Sequence, residues 1–276
     1  MLNDKLKKHL EGYKVNNLGI EEKGVYIHKG KRLLLGHVLP KDKSHLNILS
    51  PYQKQFYESE YAEIKFHKYF HHLNSSQALC INLFFPLIAE NRLDVVTALL
   101  GLGKESVTKA CFEKESDLEN VNANERRTNF DFYIELESGC SIFFEIKYTE
   151  NEFGSAKKDE EHQEKYNRLY EPLLETNPYI QEPYKNSDEF LRHYQIMRNF
   201  INIGEKQWVV FLYPRENKKV DTQANYAMEN ILTEKGREKF RILYLEDIYS
   251  NIREHTSEQK LSLQYDEFEK KYLSLT

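Results

Sequence analysis

Asp131, Glu145 and Lys147 stand in the segment TNFDFYIELESGCSIFFEIKYTE, residues 128–150. Two carboxylates and an amine could carry out metal-assisted hydrolysis. Asp131 and Glu145 can bind a hard divalent cation through oxygen, with the main-chain carbonyl of Ile146 as a further donor. Mg²⁺ suits such an open, partly hydrated site, with Mn²⁺ as an alternative. A cation of this kind lowers the pKa of a bound water and neutralises charge on a phosphate under attack. Lys147 can orient or deprotonate that water and stabilise the negative charge that develops. Glu-x-Lys is also an ordinary cross-charge pattern on the solvent side of a hairpin, so the elements that position these residues decide between the two readings.

A half-buried strand alternates its faces with period two. On that rule Phe130, Phe132, Ile134 and Leu136 share an apolar face, and Asp131, Tyr133 and Glu135 the opposite one. On the next strand Ile142, Phe144 and Ile146 point inward while Phe143, Glu145 and Lys147 face away. With a tight turn at Ser138-Gly139, Asp131 falls within about one residue of opposite Glu145 and Lys147. The three groups then converge on one polar face at one end of a hairpin.

The flanking chain supplies a frame. Residues 24–38 read as a hairpin turning at Lys29-Gly30-Lys31, and Ser50-Pro51 opens a helix extending to about residue 73. A second helix carries Leu79, Leu83 and Leu87, and a third runs from Asn91 to Gly101 and Gly103. Val107 to Phe112, Asn129 to Leu136 and Ser141 to Lys147 read as strands. Helices are expected over about 156–174 and from Ser187 to Ile203, and QWVVFLY, Gln207 to Tyr213, has the continuous apolar run of a buried central strand. A helix at about 222–234, a strand at Arg241 to Leu245 and an amphipathic C-terminal helix complete the chain. The order α, β, β, β, α, β predicts an α/β sheet with helices packed on it. Residues 1–50 are expected to form a basic segment whose hairpin packs on a core domain of residues 51–276.

Composition narrows the class. The 276 residues are 40% apolar and 13% aromatic, which excludes a disordered chain. No apolar stretch approaches ~18 residues, which excludes a membrane-spanning helix, and the N-terminal residues lack the apolar core of an export signal. Cys80, Cys111 and Cys140 are odd in number and form no CxxC pair, so a cytoplasmic location is expected. The net charge of −5 is unevenly spread: residues 1–72 hold 13 Lys/Arg and 8 Asp/Glu, together with seven of the ten histidines. A basic arm on an acidic body is one way to meet a polyanion.

Asp131 followed by Glu145-Ile146-Lys147 on adjacent strands, within this helix–strand order, resembles the PD-(D/E)XK nuclease superfamily. Within it the chain looks like restriction-endonuclease-like bacterial proteins carrying EIKYTE (Glu145 to Glu150) followed shortly by Phe153-Gly154. The segments Ser75 to Leu79, Asn82 to Phe84 and Tyr194 to Asn199 add to the likeness, which spans about residues 51–213. Phe130 stands where the nominal motif has proline. The resemblance implies an αβββαβ core with a mixed sheet flanked by helices, an N-terminal hairpin and C-terminal helical additions. It implies an Mg²⁺-dependent endonuclease acting on DNA, related to restriction or defence, with Asp131, Glu145 and Lys147 catalytic. Members sometimes add a further acid, for which Glu113 and Glu63 are the candidates. A non-catalytic nucleic-acid- or protein-binding module on the same fold is the alternative, and a homodimer is left open.

Other groups are weaker. Gln195 and Arg198, on the helix before the apolar strand, could approach a phosphate or brace Lys147. His67, His71 and His72 have metal-like spacing without a supporting ligand pattern. Lys29, Lys31 and Arg32, and Arg215, Lys218 and Lys219, are basic loop groups that could touch phosphates.

Overall fold

The computed structural model describes residues 2–103, 105–122 and 125–274. In chain order the helices and strands begin with α1 (Leu2–Asn16), β1 (Gly24–His28), β2 (Lys31–Leu35), α2 (Ser50–Tyr57), α3 (Ser76–Ala89) and α4 (Asp94–Leu99). Next come β3 (Val107–Glu115), β4 (Asn129–Leu136), β5 (Ser141–Ile146), α5 (Glu160–Lys165), α6 (Glu171–Glu175), α7 (Ser187–Arg192) and α8 (Tyr194–Phe200). The chain continues through β6 (Gln207–Tyr213), α9 (Lys218–Tyr226), α10 (Glu234–Glu238), β7 (Phe240–Tyr244), α11 (Leu245–His255) and α12 (Gln259–Tyr272). Among the described residues no helix is long and apolar enough to cross a membrane. The elements fall into two compact units, one drawn from residues before 105 and after 244, the other from Glu105–Tyr244. The boundary expected after residue 50 lies inside the first unit.

In the first unit, β1 and β2 pair antiparallel through a two-residue turn. Lys29 and Gly30 both adopt positive φ (47° and 78°), the combination that matches a hairpin's twist. The helix expected from Ser50 to about residue 73 ends at Tyr57, followed by a 3₁₀ turn, Glu60–Glu63, and irregular chain. Side chains hold that irregular backbone. Asn47 Nδ2 donates to the carbonyls of Phe70 (2.5 Å) and His72 (2.8 Å), and Gln77 Oε1 accepts from the N–H of His67 (2.8 Å). Aromatic rings pack across this stretch: Phe66 lies against Phe56 and Phe70. α3, capped by Ser75, is buried on nearly all sides, and the single C-terminal helix expected is two, α11 and α12.

In the second unit, the strand order is β3-β4-β5-β6-β7, antiparallel from β3 to β5 and parallel from β5 to β7. The sheet is therefore mixed, with β6 hydrogen-bonded on both sides, as its apolar run requires. The chain is of the α/β class, compatible with a restriction-endonuclease-like fold. Simple alternation fails at two points. Every residue of β5 is buried, so its supposedly polar face lies under cover. Phe130 leaves the Phe132 face and packs its ring on Phe143 at 4.7 Å, within an aromatic cluster that includes Tyr170, Phe190, Phe200 and Phe211. The helix expected from Ser187 to Ile203 breaks at His193, and the charged helix is continuous over 160–175 through a π turn at Tyr166–Tyr170.

Candidate active site

The β4–β5 ladder fixes the register of the two acids. Its pairs run from Glu135↔Ser141 to Phe132↔Phe144, and one step further places Asp131 opposite Glu145. At that step the N–H of Ile146 goes to Asp131 Oδ2 (2.6 Å). On the other side, Phe112↔Phe132 and Lys114↔Phe130 bracket Glu113 against Asp131. Glu113, Asp131 and Glu145 therefore occupy one row across three adjacent strands. Glu113 holds a positive φ of 56°, unusual for a non-glycine residue inside a strand, and Glu113 Oε2 accepts from Asn129 Nδ2.

Lys147 continues from β5 and returns to the row. Its Nζ lies 2.9 Å from Glu145 Oε1 and donates to Gln195 Oε1 at 3.0 Å. Gln195 Nε2 donates to the same Glu145 Oε1 (2.7 Å), and Asn199 Nδ2 donates to Glu145 Oε2 (3.2 Å). The break at His193 positions Gln195: its N–H goes to the carbonyl of Gly154 (3.0 Å), and its Oε1 accepts from the N–H of Gly154 (3.1 Å). The loop after β5 is held in turn by Glu150 Oε2, which accepts from the N–H groups of Tyr148 (2.7 Å) and Thr149 (2.9 Å). Glu145 and Lys147 are only 5% and 9% exposed.

This environment sets the charge states. Burial above all, then the Glu145 and Glu113 carboxylates, holds the Asp131 carboxyl well above the usual carboxylate range, against the Ile146 N–H and Lys147. Burial alone would lower the Lys147 ammonium, but Glu145 and Glu150 raise it above its ordinary value. The same contacts favour the ammonium form of Lys147, which suits it to stabilising negative charge.

The structure brings together Asp131, Glu145, Lys147 and Gln195, with Ile146 beside them. Glu63 ends a 3₁₀ turn in the first unit, not the long helix expected. Arg198 turns away to buried Glu119 (3.2 Å) and the Arg126 carbonyl (3.1 Å). Among the described residues, no three His, Cys, Asp or Glu form a metal-binding group. His72 packs on Tyr26 and Tyr69, and burial, then neighbouring His71, pushes its pKa down to about 3. The donors offered to a cation are thus Asp131, Glu145 and the Ile146 carbonyl, all hard oxygens fitting Mg²⁺ or Mn²⁺. Glu145 Oε2 accepts one hydrogen bond from Asn199, and a carboxylate oxygen has capacity for a second interaction.

A family model described as "Restriction Endonuclease associating with ARP" matches residues 7–273. The chain belongs to this restriction-endonuclease family. The description points to a nuclease or defence-related role, with DNA as the substrate it suggests. No curated protein and no solved structure matches the chain.

Asn199 escaped the sequence reading, although a signal existed. Gln195 and Asn199 are four apart on one helix and so share a face, the face that meets Glu145 here. Asn199→Ala should destabilise the protein by about 1–3 kcal/mol, because a buried carboxylate loses a donor. Urea unfolding of the variant beside wild type measures this.

Proposed function

We propose that the protein is an Mg²⁺-dependent endonuclease of the PD-(D/E)XK kind that hydrolyses phosphodiester bonds in DNA. The observation that carries this reading is Asp131 opposite Glu145 with Lys147 paired to Glu145, in a chain belonging to a restriction-endonuclease family. Asp131, Glu145 and the Ile146 carbonyl would hold the cation, which supplies an activated water and neutralises phosphate charge. Lys147 presents an ammonium where negative charge grows during attack. Gln195 and Asn199 keep Glu145 from swinging away, and Gln195 ties Lys147 to the same carboxylate, so the charged groups enter the reaction already oriented.

Supercoiled plasmid and end-labelled oligonucleotides should be cut with Mg²⁺ or Mn²⁺ and left intact with EDTA. No cutting with either cation would transfer the reading to a non-catalytic binding module on this fold.

A further inference from the structure

A second site lies in the first unit, where the N-terminal hairpin meets the irregular chain after α2. A cavity of about 260 Å³ there is lined by Val25, Ile27 and Tyr69, with Lys23, Lys41 and Lys68 around it. We infer that this cavity binds a nucleotide, its base against Tyr69 and Ile27 and its phosphate on the lysines.

Each part of that ligand has a counterpart. Tyr69 is 37% exposed, yet its ring is held in place. Its hydroxyl donates to the Ile27 carbonyl (3.3 Å), and Tyr26 meets the ring edge-on at 5.2 Å. A fixed, partly open ring is a stacking platform, and any base has the face to use it. Lys68 Nζ stands 5.3 Å from the ring centre, so ammonium and aromatic face are already adjacent, as a base linked to a phosphate requires. Ile27 is 51% exposed and Leu34 is 60% exposed. Such apolar surface is matched by a base better than by water.

Charge favours an anion. The three lysines outnumber the two carboxylates of the lining, Glu22 and Asp42. Ile27 pairs with Arg32 across the hairpin; directly opposite residues share a face, so Arg32 extends the cationic rim beside the cavity. Lys29 stands at the turn beyond it. The volume lies just below the roughly 300–1,000 Å³ of drug-sized pockets. That suits a single nucleotide, and stacking on Tyr69 needs an unpaired base. The ligand is therefore a free mononucleotide or an unpaired nucleotide of a strand. Only the second source rests on the nuclease reading.

The test is equilibrium binding by the full chain in EDTA, where no cleavage can occur. The probes are a fluorescein-labelled twelve-residue oligothymidylate, its duplex with oligodeoxyadenylate, and deoxyadenosine monophosphate as competitor. The single strand should bind at least about tenfold tighter than the duplex, since stacking needs an unpaired base. Changing Lys23, Lys41 and Lys68 together to Glu should weaken binding tenfold or more and lower the salt slope by about 0.7, the value for one lost phosphate contact on a single strand. Tyr69→Ala should lose roughly 5- to 150-fold, the range one stacked base supplies, while Tyr69→Phe, which keeps the ring, stays within about twofold. Saturable binding of the monophosphate by calorimetry with no binding of the strand would support the site and identify a free nucleotide as its ligand. Equal binding of strand and duplex, unchanged affinity in both the lysine and Tyr69→Ala variants, or no binding of any probe would overturn it. Cleavage with Mg²⁺ by the same variants separates the two readings: intact binding without cleavage strikes the nuclease, and intact cleavage without binding strikes the pocket.

Discussion

Lys147→Ala should lower cleavage by roughly 10²–10⁴-fold, the loss expected when one group acting on developing charge is removed. It should also destabilise the protein by on the order of 3–5 kcal/mol, because one partner of a buried ion pair is gone. The second effect follows from placement. Lys147 Nζ sits 2.9 Å from Glu145 Oε1 with both side chains nearly enclosed. Without it, Glu145 keeps only Gln195 and Asn199 as donors among the contacts described above. On an open polar face, as strand alternation suggests, the fold would survive the change at no such cost. Wild-type stability rests on this pair up to alkaline pH: a lysine raised above its usual value contributes fully below the ordinary lysine range and loses its contribution as pH rises through the raised value. The two effects separate by temperature. Well below the melting transition, where circular dichroism shows folded protein, cleavage should still be lost while Mg²⁺ binding by calorimetry persists. Wild-type turnover by the folded variant would remove Lys147 from the chemistry and leave it a structural cation.

What the sequence made legible follows the range of the forces involved. β4 is recoverable to the residue, and β5 nearly so, because a period-two pattern and a Gly-containing turn are local. The opposition of Asp131 and Glu145 follows from that turn alone. β6 is recoverable because QWVVFLY has no polar side to offer, as a strand paired on both edges demands. The cover over β5 is not local. It comes from residues some 50 positions later, where Gln195 and Asn199 reach Glu145. Nothing near Glu145 announces them. The irregular chain after Tyr57 fails for a related reason: Tyr52, Phe56 and Ile64 keep helical spacing, but Asn47 and Gln77 satisfy the backbone in another conformation. A side chain that replaces a helical hydrogen bond leaves no periodic mark.

Asp131→Asn should do the opposite of Lys147→Ala for stability while also abolishing cleavage. Asn can still accept the N–H of Ile146, now given to Asp131 Oδ2 at 2.6 Å, and it removes a negative charge from a row that also holds Glu145 and Glu113. That row is the reason burial and like charge hold the Asp131 carboxyl high. An acid raised on folding binds more protons folded than unfolded between its two pKa values, so its ionisation removes stability as pH rises from the ordinary range, about 3.9, through the raised value. In EDTA near neutral pH wild type bears that penalty and the Asn variant does not. The variant should therefore melt higher, by roughly 2–4 °C for each kcal/mol relieved. Added Mg²⁺ reverses the order. It stabilises wild type by mass action on its folded state, whereas the variant has lost a charged ligand and should respond little. Melting curves of both proteins at pH 5 and pH 7.5, each with EDTA and with Mg²⁺, check all of this together. The gap between them in EDTA should narrow at pH 5, because lower pH favours the protonated Asp131 that the buried row prefers. A variant that melts below wild type in EDTA, or that gains as much from Mg²⁺ as wild type does, would show that Asp131 is a structural acceptor and not the ligand whose buried charge the fold tolerates in order to hold a cation.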